Sequence, residues 1–526
     1  MHRTTLCFPV LIAAVCVTSA GGADNNAPGA WPVLGQNLRN TRNQNAEHQI
    51  GTQNVKTLAP RWVFTTGSDV SATPTVLDDA VYFPDWSGNL FAVHRNTGQL
   101  IWSHKISEYD NVSGSLSRTS PTISGDDLII GDILNNDDTH NGANVMAVNR
   151  QTGRLHWITQ VETHPAAIIT GPAVVANGVA FVGVSSIEED LATDPSYPCC
   201  SFRGSVVALD AQTGRVLWQT YTVPDNHGQP GGYSGNAVWA PAAIDVGRGL
   251  LYVGTGNNYT APQAVQDCVN HSRRSAQSAC IAADDHFDSA LALDMRTGHV
   301  KWAKRLQGFD IWTVACLTNT NPVACPVPES PDYDMGGSGA ILFPRMVVFP
   351  QKSGIVWSLD PDTGALLWSS VVGPGGIEGG VEWSAATDDR RIYVPLSNSD
   401  NKEYPLINGK TITWGAWSAL DAGSGRILWQ TAVPDHTQAL GAVSVANGVL
   451  YAPSFGGNMY ALDAATGAVL WTFPSGGTVV DGPSIVDGTV FWGSGYTQPT
   501  NGIGNNKVYA FAPAGGGGDE SDRNQR

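Results

Sequence analysis

One motif, repeated seven times, constrains the fold of this chain more than any other feature. Each copy is a hydrophobic strand that typically ends in A-x-D or A-x-N, followed by a T-G or S-G turn and then x-x-x-Trp. The copies end, in chain order, at Trp102, Trp157, Trp218, Trp302, Trp368, Trp429 and Trp471. Their spacing varies from roughly 40 to 85 residues, which indicates one supersecondary unit copied with loops of different length.

Each copy predicts a β-hairpin. Runs such as Val206 to Asp210 alternate in the manner of a half-buried strand, and D-x-x-T-G between two strands is typical of a tight turn. The Asp or Asn side chain caps the turn, and the Gly adopts the positive φ that the turn requires. The Trp offers a large flat surface to the next unit. A further strand pair precedes each motif, for instance Gly171 to Gly183, so four strands per unit predict a β-propeller.

The two ends of the chain determine the number of blades. The run Lys507 to Ala512 is the first half of an eighth motif without its T-G-x-x-x-W. The missing strand is available at Ala59 to Thr65, where Trp62 stands at the repeated Trp position. An N-terminal strand that closes the ring removes an open sheet edge. We therefore predict one all-β domain over residues 24–514, an eight-bladed β-propeller closed by an N-terminal strand.

The charge balance excludes some classes of partner. Only 14% of the residues are charged, and the net charge is −17, which argues against nucleic acid and anionic membrane surfaces as partners. The 59 glycines and 17 tryptophans are typical of a tight, loop-rich all-β chain.

The N-terminal residues 1–23 have the pattern of a signal peptide. Arg3 precedes an apolar run from Leu6 to Val17, and small residues follow. A lipoprotein signal ending at Cys16 is the alternative, although Val15 fits that pattern poorly. No other segment is long and apolar enough to span a bilayer. We expect a soluble periplasmic or secreted protein, with residues 515–526 as a disordered tail.

Six cysteines follow the predicted signal peptide, and in an oxidising compartment they are expected to pair. The pairs Cys268–Cys280 and Cys316–Cys325 are close in sequence, each within a polar insertion, so local disulfides are the simplest pairing. That leaves Cys199 and Cys200, which are adjacent. A vicinal disulfide would make a small, stiff, apolar plate; the alternative is that each is reduced or pairs elsewhere.

Three stretches extend the pattern beyond the repeat. They are G-V-S-S-I-E-E (Gly183 to Glu189), C-C-S-F-R-G (Cys199 to Gly204) and S-P-D-Y-D-M-G (Ser330 to Gly336). With the repeat, the predicted signal peptide and the adjacent cysteines, they resemble the quinoprotein alcohol dehydrogenases, which carry pyrroloquinoline quinone (PQQ). The chain is most similar to the polyvinyl-alcohol dehydrogenase group. The resemblance implies an exported enzyme that oxidises secondary or polymeric alcohols by hydride transfer to metal-bound PQQ. Because C-x-x-C-H is absent, a separate soluble cytochrome c is the expected electron acceptor.

The resemblance also implies a set of cofactor-binding residues. Trp239 stands eighteen residues before Asn257, the spacing at which the family places the Trp that stacks beneath the quinone. The family keeps its adjacent cysteines in the blade where this chain has Val112 to Arg118, so the present pair is displaced. The implied residues are Arg118, Thr170, Ser185, Cys199, Cys200, Trp239 and Lys352.

A metal site and a catalytic base are implied in the same way. Glu188, Asn257, Asp332 and Asp334 match metal ligands, and oxygen ligands suit a hard cation that polarises a quinone carbonyl as a Lewis acid. Asp332 matches the base that accepts the alcohol proton, and Asp310 is the fallback because an insertion splits the family motif. Ca²⁺ is the expected ion. The extra carboxylate of Asp334 makes a trivalent lanthanide the alternative.

Two further expectations concern the alcohol substrate and the functional class of the protein. The insertions that hold the two local disulfides should rise around the cofactor mouth, with Trp312 as their large aromatic residue, and favour secondary or polymeric alcohols over methanol.

Taken singly, each site residue has an ordinary structural role as an alternative. The competing function is a non-catalytic propeller scaffold of envelope protein assembly, which would share the Trp repeats but would not need these ligands.

Overall fold

Eight antiparallel sheets make up the body of the protein. The structure is a computed structural model that describes residues 29–133, 142–318, 321–322, 324–326, 332–335, 337–376, 379–497 and 502–514. Each sheet contains four strands in up-and-down order, as the repeat predicts, and two of the sheets carry a short additional strand. The fourth strand of a sheet is its most exposed one. The predicted eight-bladed β-propeller is confirmed.

Four strands form each blade, and they are numbered from the first to the fourth across the sheet. Blades 1 to 4 consist of Thr75–Leu77, Ala80–Pro84, Asn89–His94 and Leu100–Lys105; Thr122–Ser124, Asp127–Gly131, Ala143–Asn149 and Leu155–Glu162; Val174–Ala176, Val179–Ser186, Ser205–Asp210 and Val216–Tyr221; and Ala243–Asp245, Leu250–Gly254, Ser289–Asp294 and Val300–Arg305. Blades 5 to 8 consist of Ile341–Phe343, Met346–Pro350, Ile355–Leu359 and Leu366–Val371; Ala386–Thr387, Arg391–Leu396, Ala416–Asp421 and Ile427–Ala432; Ser444–Ala446, Val449–Pro453, Asn458–Asp463 and Val469–Pro474; and Ser484–Val486, Thr489–Ser494, Lys507–Pro513 and Leu58–Thr65.

Short elements decorate the blades. Additional strands lie at Asn43–Gln44, Ala167–Ile168, Ser234–Gly235, Asn258–Thr260, Tyr404–Pro405 and Thr411–Ile412. The α-helices are Ser107–Asp110, Glu188–Leu191, Gln263–His271 and Ala315–Thr318, and 3₁₀ turns lie at Val55–Thr57 and Arg274–Cys280. Within the described ranges, every helix is too short or too polar to cross a membrane.

The repeated Trp joins each blade to the next. The indole N–H of Trp218 donates to the carbonyl of Met295 in the following turn, at 3.1 Å. A Cβ placed on Gly298 of that turn would lie 2.5 Å from the Trp218 ring, so the T-G glycine is required for close approach as well as for its positive φ of 72°. Trp471 donates to Leu58 in the closing strand at 3.0 Å, and Trp62 donates to Arg95 at 2.8 Å. The ring therefore closes through the N-terminal strand.

An N-terminal segment before the closing strand holds several blades together. Backbone carbonyls of Pro32, Leu38, Arg39, Thr41 and Arg42 accept hydrogen bonds from the innermost strands of blades 2, 4, 5, 6 and 7. Arg42 is fully buried, and its guanidinium donates to Val443 O at 2.8 Å and Leu34 O at 2.8 Å. The repeat pattern did not predict this segment.

Three disulfides form as predicted from proximity, namely Cys199–Cys200, Cys268–Cys280 and Cys316–Cys325. The predicted signal peptide (1–23) and disordered tail (515–526) lie outside the described residues.

Candidate active site

A cavity of about 610 Å³ opens among the loops at one end of the strands. Its wall is built from loops that join successive blades and from loops between the second and third strands of a blade. Seven of the residues predicted from sequence line it: Arg118, Thr170, Ser185, Trp239, Asn257, Asp334 and Lys352. These residues are up to 234 positions apart in sequence (352 − 118), and the propeller brings them to one place.

Lys352 is the centre of a buried charge cluster. Its ammonium lies 2.7 Å from Asp332 Oδ2 and 3.5 Å from Asp334 Oδ2. Although burial opposes the charge, the two carboxylates raise the pKa of Lys352 well above its ordinary value. Asp332 is fully buried behind the wall, and its Oδ1 accepts the backbone N–H of Asp334 at 3.0 Å. The backbone N–H of Asn257 donates to Asp334 Oδ1 at 2.6 Å, so blade 4 is joined directly to the segment that carries Asp332 and Asp334.

Asn257 presents its amide oxygen as a ligand. Its side-chain N–H₂ group donates to the backbone carbonyls of Asn258 and Trp312. Both amide hydrogens are therefore used, and the oxygen is the atom left for a partner in the cavity.

In the loop after the second strand of blade 3, the carboxylate that lines the cavity is that of Glu189, not Glu188. Glu189 lines the cavity, whereas Glu188 is fully buried and outside the wall. The backbone N–H groups of Ser201 and Phe202 donate to the two oxygens of Glu188, each at 2.8 Å, and Tyr197 adds a third hydrogen bond at 3.1 Å. Glu188 thus holds the loop that follows the vicinal disulfide. The geometry favours Glu189 as the ligand that the sequence pattern assigned to Glu188.

Glu189 belongs to the same electrostatic cluster as the lysine. Burial, followed by the charges of Asp190 and Asp334, raises the pKa of Glu189 well above its ordinary value. Burial and the charge of Asp332 raise the pKa of Asp334 to about 7. This end of the cavity therefore holds more carboxyl groups than Lys352 alone keeps ionised, and a bound cation would favour their charged forms.

The structure does not place the vicinal disulfide at the cavity. Cys199 and Cys200 are buried in an apolar cluster with Trp312 and the Cys316–Cys325 disulfide, and neither lines the wall. An aliphatic patch of Leu116, Ile133 and Ile168 lines the cavity instead. Leu116 and Ile133 pair through two backbone hydrogen bonds, at 3.1 and 2.8 Å. This patch lies beside the blade where the related family keeps its cysteines.

Of the first insertion, which follows Asn257 and holds Cys268–Cys280, Tyr259 lies in the cavity wall; the described residues of the second insertion contribute none. Trp312 packs in the same cluster as Cys199 and Cys200, and its ring lies 5.6 Å from the Lys352 ammonium. Among the described residues, the expectation that the insertions shape the cofactor mouth rests on Tyr259 alone. Aromatic residues that the sequence reasoning missed, Trp86, Trp383 and Tyr496, also line the wall.

Arg118 lies within this aromatic group. Its guanidinium carbon is 4.7 Å from the Trp383 ring centre, 5.5 Å from Tyr496 and 5.6 Å from Trp86. These cation–π contacts hold the guanidinium at the wall of the cavity. Only tertiary structure brings these residues together, because nothing in the local sequence distinguishes the three aromatic residues from core residues.

Asp310, the fallback base, is not at the cavity. It is buried, and its nearest titratable partner is Asp288, which the sequence reasoning did not single out. Asp332 does not line the wall either, but it pairs with Lys352, whereas the described ion pairs of Lys352 are with Asp332 and Asp334 and not with Asp310.

The cavity is suited to a flat, oxygen-rich cofactor. The Oγ1 of Thr170 and the Nε1 of Trp383 are buried, line the cavity and have no hydrogen-bond partner among the described residues. Trp239 supplies a flat aromatic surface, and Arg118 and Lys352 supply positive charge for an anionic cofactor. No three His, Cys, Asp or Glu side chains of the described chain form a ready-made metal site. A metal would therefore take Glu189, Asp334 and the amide oxygen of Asn257 together with oxygens of a cofactor.

Comparison with known proteins shows the family of this chain. The family model for the glucose/ethanol/alcohol dehydrogenase β-propeller domain (PQQ) matches residues 31–371, which include every cavity residue up to Lys352. This chain belongs to the PQQ-dependent alcohol dehydrogenase family. The family resemblance read from the sequence is thereby confirmed.

Curated relatives and a solved structure agree with that family. Polyvinylalcohol dehydrogenase of Sphingopyxis sp. (strain 113P3) is 30% identical over 92% of this chain and 75% of its own length. Polyvinylalcohol dehydrogenase of Pseudomonas sp. is 29% identical over 90% of this chain and 74% of its own length. The solved quinohemoprotein alcohol dehydrogenase of Comamonas testosteroni superposes with a TM-score of 0.70 at 21% identity, over 93% of this chain and 81% of that one. The chain is an enzyme of the PQQ-dependent alcohol dehydrogenase type.

A second family model, for the outer membrane protein assembly factor BamB, matches residues 415–516. That range contains the Trp repeats of the last blades and, among the cavity residues, only Tyr496 and Thr497. The match therefore reflects the shared repeat and not the site.

Proposed function

We propose that this protein is an exported PQQ-dependent dehydrogenase that oxidises secondary or polymeric alcohols and passes the electrons to a separate soluble cytochrome c. The observation that carries the proposal is the convergence of Trp239, Lys352, Asp334 and Asn257 on one cavity. Similarity to two polyvinylalcohol dehydrogenases supports the substrate class. The signal-peptide pattern supports export, and the lack of C-x-x-C-H supports a separate cytochrome.

The residues of the chain have distinct roles in this proposal. Trp239 would supply a flat surface to the cofactor, and Arg118, Thr170 and Ser185 would bind its polar groups. Lys352 would provide positive charge to the cofactor, and Glu189, Asn257 and Asp334 would hold the metal. PQQ, when bound with its metal, supplies the two-electron acceptor for the hydride.

Proton removal from the alcohol falls to a carboxylate beside Lys352. We assign it to Asp332, because the ammonium contact at 2.7 Å positions that carboxylate next to the cation that faces the cavity. Asp334 forms the wall itself and is the competing acceptor. Separate Asp332→Asn and Asp334→Asn variants distinguish the two, because only loss of the base removes turnover while metal binding is retained.

A reconstitution assay tests the function. The purified protein is mixed with PQQ and either Ca²⁺ or La³⁺, and dye reduction is followed with methanol, 2-propanol, longer secondary alcohols and polyvinyl alcohol. The proposal expects kcat/KM to be highest with secondary or polymeric alcohols and no haem absorption in the single chain. Highest kcat/KM with methanol would overturn the substrate assignment. No turnover with any alcohol, despite PQQ binding, would overturn the enzymatic role.

A further inference from the structure

Two carboxyl groups lie buried behind the cavity wall, on segments 22 residues apart (310 − 288). Asp288 is 0% exposed and Asp310 is 3% exposed. The two groups are within hydrogen-bonding reach of one another. Apart from the backbone N–H of Tyr333, which lies within reach of Asp310, their four oxygens have no hydrogen-bond donor among the described residues.

Chemistry restricts the state of such a pair. An ionised carboxylate has acceptors only. Two ionised carboxylates therefore cannot hydrogen-bond to each other, and in a dry environment they repel each other. One proton converts the pair into a donor and an acceptor. Burial, and then the charge of Asp310, raises the pKa of Asp288, and burial raises the pKa of Asp310 to about 8. The charged groups that face the pair are Asp332, Asp334 and Arg305, and Arg305 donates instead to the carbonyl of Asp285.

The segments that carry the two aspartates contact the residues next to Asn257. The backbone N–H of Asp288 donates to Gly256 O at 3.0 Å, immediately before Asn257. On the other side, Ile311 forms a β-bridge with Asn258, and the N–H of Trp312 donates to Asn258 O at 3.0 Å. The segments that carry Asp288 and Asp310 thus flank the residues on either side of Asn257.

We propose that Asp288 and Asp310 share one proton and act as a positioning pair that holds Asn257 toward the cavity. The role for Asn257 rests on the proposed function, whereas proton sharing by the pair does not. Without the shared hydrogen bond, the two segments would separate and the amide oxygen of Asn257 would lose its fixed direction.

Conservative and disruptive variants separate proton sharing from ordinary packing. Asp288→Asn and Asp310→Asn each keep one donor, one acceptor and one negative charge, so the melting temperature of the cofactor-free protein should stay close to that of the wild type. Asp288→Ala should lower it by several degrees, because Asp310 then loses its side-chain partner in a buried environment.

Asp69 provides a matched control among the buried aspartates. Both of its oxygens accept backbone N–H groups, from Thr497 and Asn505, each at 2.8 Å. Asp69→Asn therefore places an amide N–H₂ against fixed donors, and it should lower the melting temperature where Asp288→Asn does not. If Asp288→Asn and Asp69→Asn were equally damaging, the shared proton would be refuted.

Metal binding tests the positioning role. Tb³⁺ is titrated by its luminescence at a temperature where every variant is folded. Asp288→Ala should weaken Tb³⁺ binding about tenfold or more, as for other residues that orient a ligand, and Asp288→Asn should restore it. Unchanged Tb³⁺ affinity in Asp288→Ala would overturn positioning. If the wild type bound no Tb³⁺ or Ca²⁺, the proposed metal site would fail, while the melting temperatures would still decide whether the pair shares a proton.

Discussion

The ammonium of Lys352 lies 2.7 Å from the carboxylate of Asp332, and both side chains are buried. The rings of Trp239 and Trp312 lie 5.1 and 5.6 Å from the same ammonium. A cation held by carboxylates on one side and by aromatic faces on the other has a fixed position. That position, beside Asp334 and Glu189, is where positive charge at the cavity is most useful for stabilising charge that develops on a cofactor oxygen.

The first prediction concerns this ion pair. Lys352→Met should reduce kcat/KM of the reconstituted enzyme by about 10² or more, because a preorganised cation is lost. It should also lower the free energy of unfolding of the cofactor-free protein by about 3–5 kcal/mol, because Asp332 is left buried and unpaired. Urea unfolding and steady-state kinetics measure the two effects.

Lys402 is the control for the lysine variant. It pairs with Asp400 at 2.9 Å, but its side chain is 53% exposed, so Lys402→Met should cost less than about 1 kcal/mol. Equal losses in the two variants would show that burial of the Lys352 pair has no energetic consequence.

The second prediction separates the two adjacent glutamates. Glu189→Gln should abolish Ca²⁺ and La³⁺ binding at concentrations that saturate the wild type, and it should leave the apo protein as stable or more stable because repulsion with Asp334 is relieved. Glu188→Gln should lower the free energy of unfolding by about 1–3 kcal/mol, because its amide N–H₂ would face the N–H groups of Ser201 or Phe202. Isothermal titration and urea unfolding give the two readouts. Loss of metal binding in Glu188→Gln without loss of stability would return the ligand role to Glu188.

The third prediction concerns the choice of metal. Asp334→Ala removes one oxygen ligand and one charge, which a trivalent ion needs more than Ca²⁺ does. If a lanthanide is the native ion, the variant should lose activity with La³⁺ and keep or improve activity with Ca²⁺. Equal loss with both ions would place Asp334 in the general architecture of the site, where its hydrogen bond with the Asn257 N–H is the relevant contact. No effect with either ion would remove it from the site.

The fourth prediction concerns the vicinal disulfide. The double variant Cys199→Ala, Cys200→Ala should bind PQQ with nearly unchanged affinity in equilibrium dialysis, because neither residue lines the cavity. Ile168→Asp, in the aliphatic patch of the wall, should weaken PQQ binding, because it buries a charge against the cofactor. The reverse order of effects would show that the disulfide covers the quinone after all.

The fifth prediction tests the blade junction. Gly364 and Gly178 have similar positive φ values, 69° and 75°, but a Cβ on Gly364 would lie 2.7 Å from Trp302, whereas a Cβ on Gly178 would meet nothing within 4 Å. Gly178→Ala should cost about 1–2 kcal/mol of backbone strain. Gly364→Ala should cost about 1–3 kcal/mol more, because the Trp must move. Urea unfolding of both variants measures the difference, and equal costs would contradict the role of the glycine in blade contact.

The propeller could be predicted because its signals are local and repeated. The D-x-x-T-G turn needs only an Asx cap and a positive φ, as at Asp210, whose Oδ1 accepts the N–H of Thr213 at 2.9 Å. The Trp four residues later needs only a neighbouring turn to contact. The ring closure through Leu58–Thr65 followed from counting strands. Seven site residues that the family resemblance implied, among them Trp239, Asn257 and Lys352, also line the cavity.

Other features were decided by the tertiary structure alone. Glu188 and Glu189 stand at the start of a helical turn, where successive side chains point about 100° apart, so only packing decides which one faces the cavity. Likewise, no local pattern indicates that Cys199–Cys200 packs with Trp312 and not with the cofactor, or that Asp288 meets Asp310. The sequence by itself determined the strands, the turns and the ring, because these depend on neighbours along the chain. The tertiary structure decided the direction of each buried polar side chain, because that depends on which distant donor or charge can satisfy it.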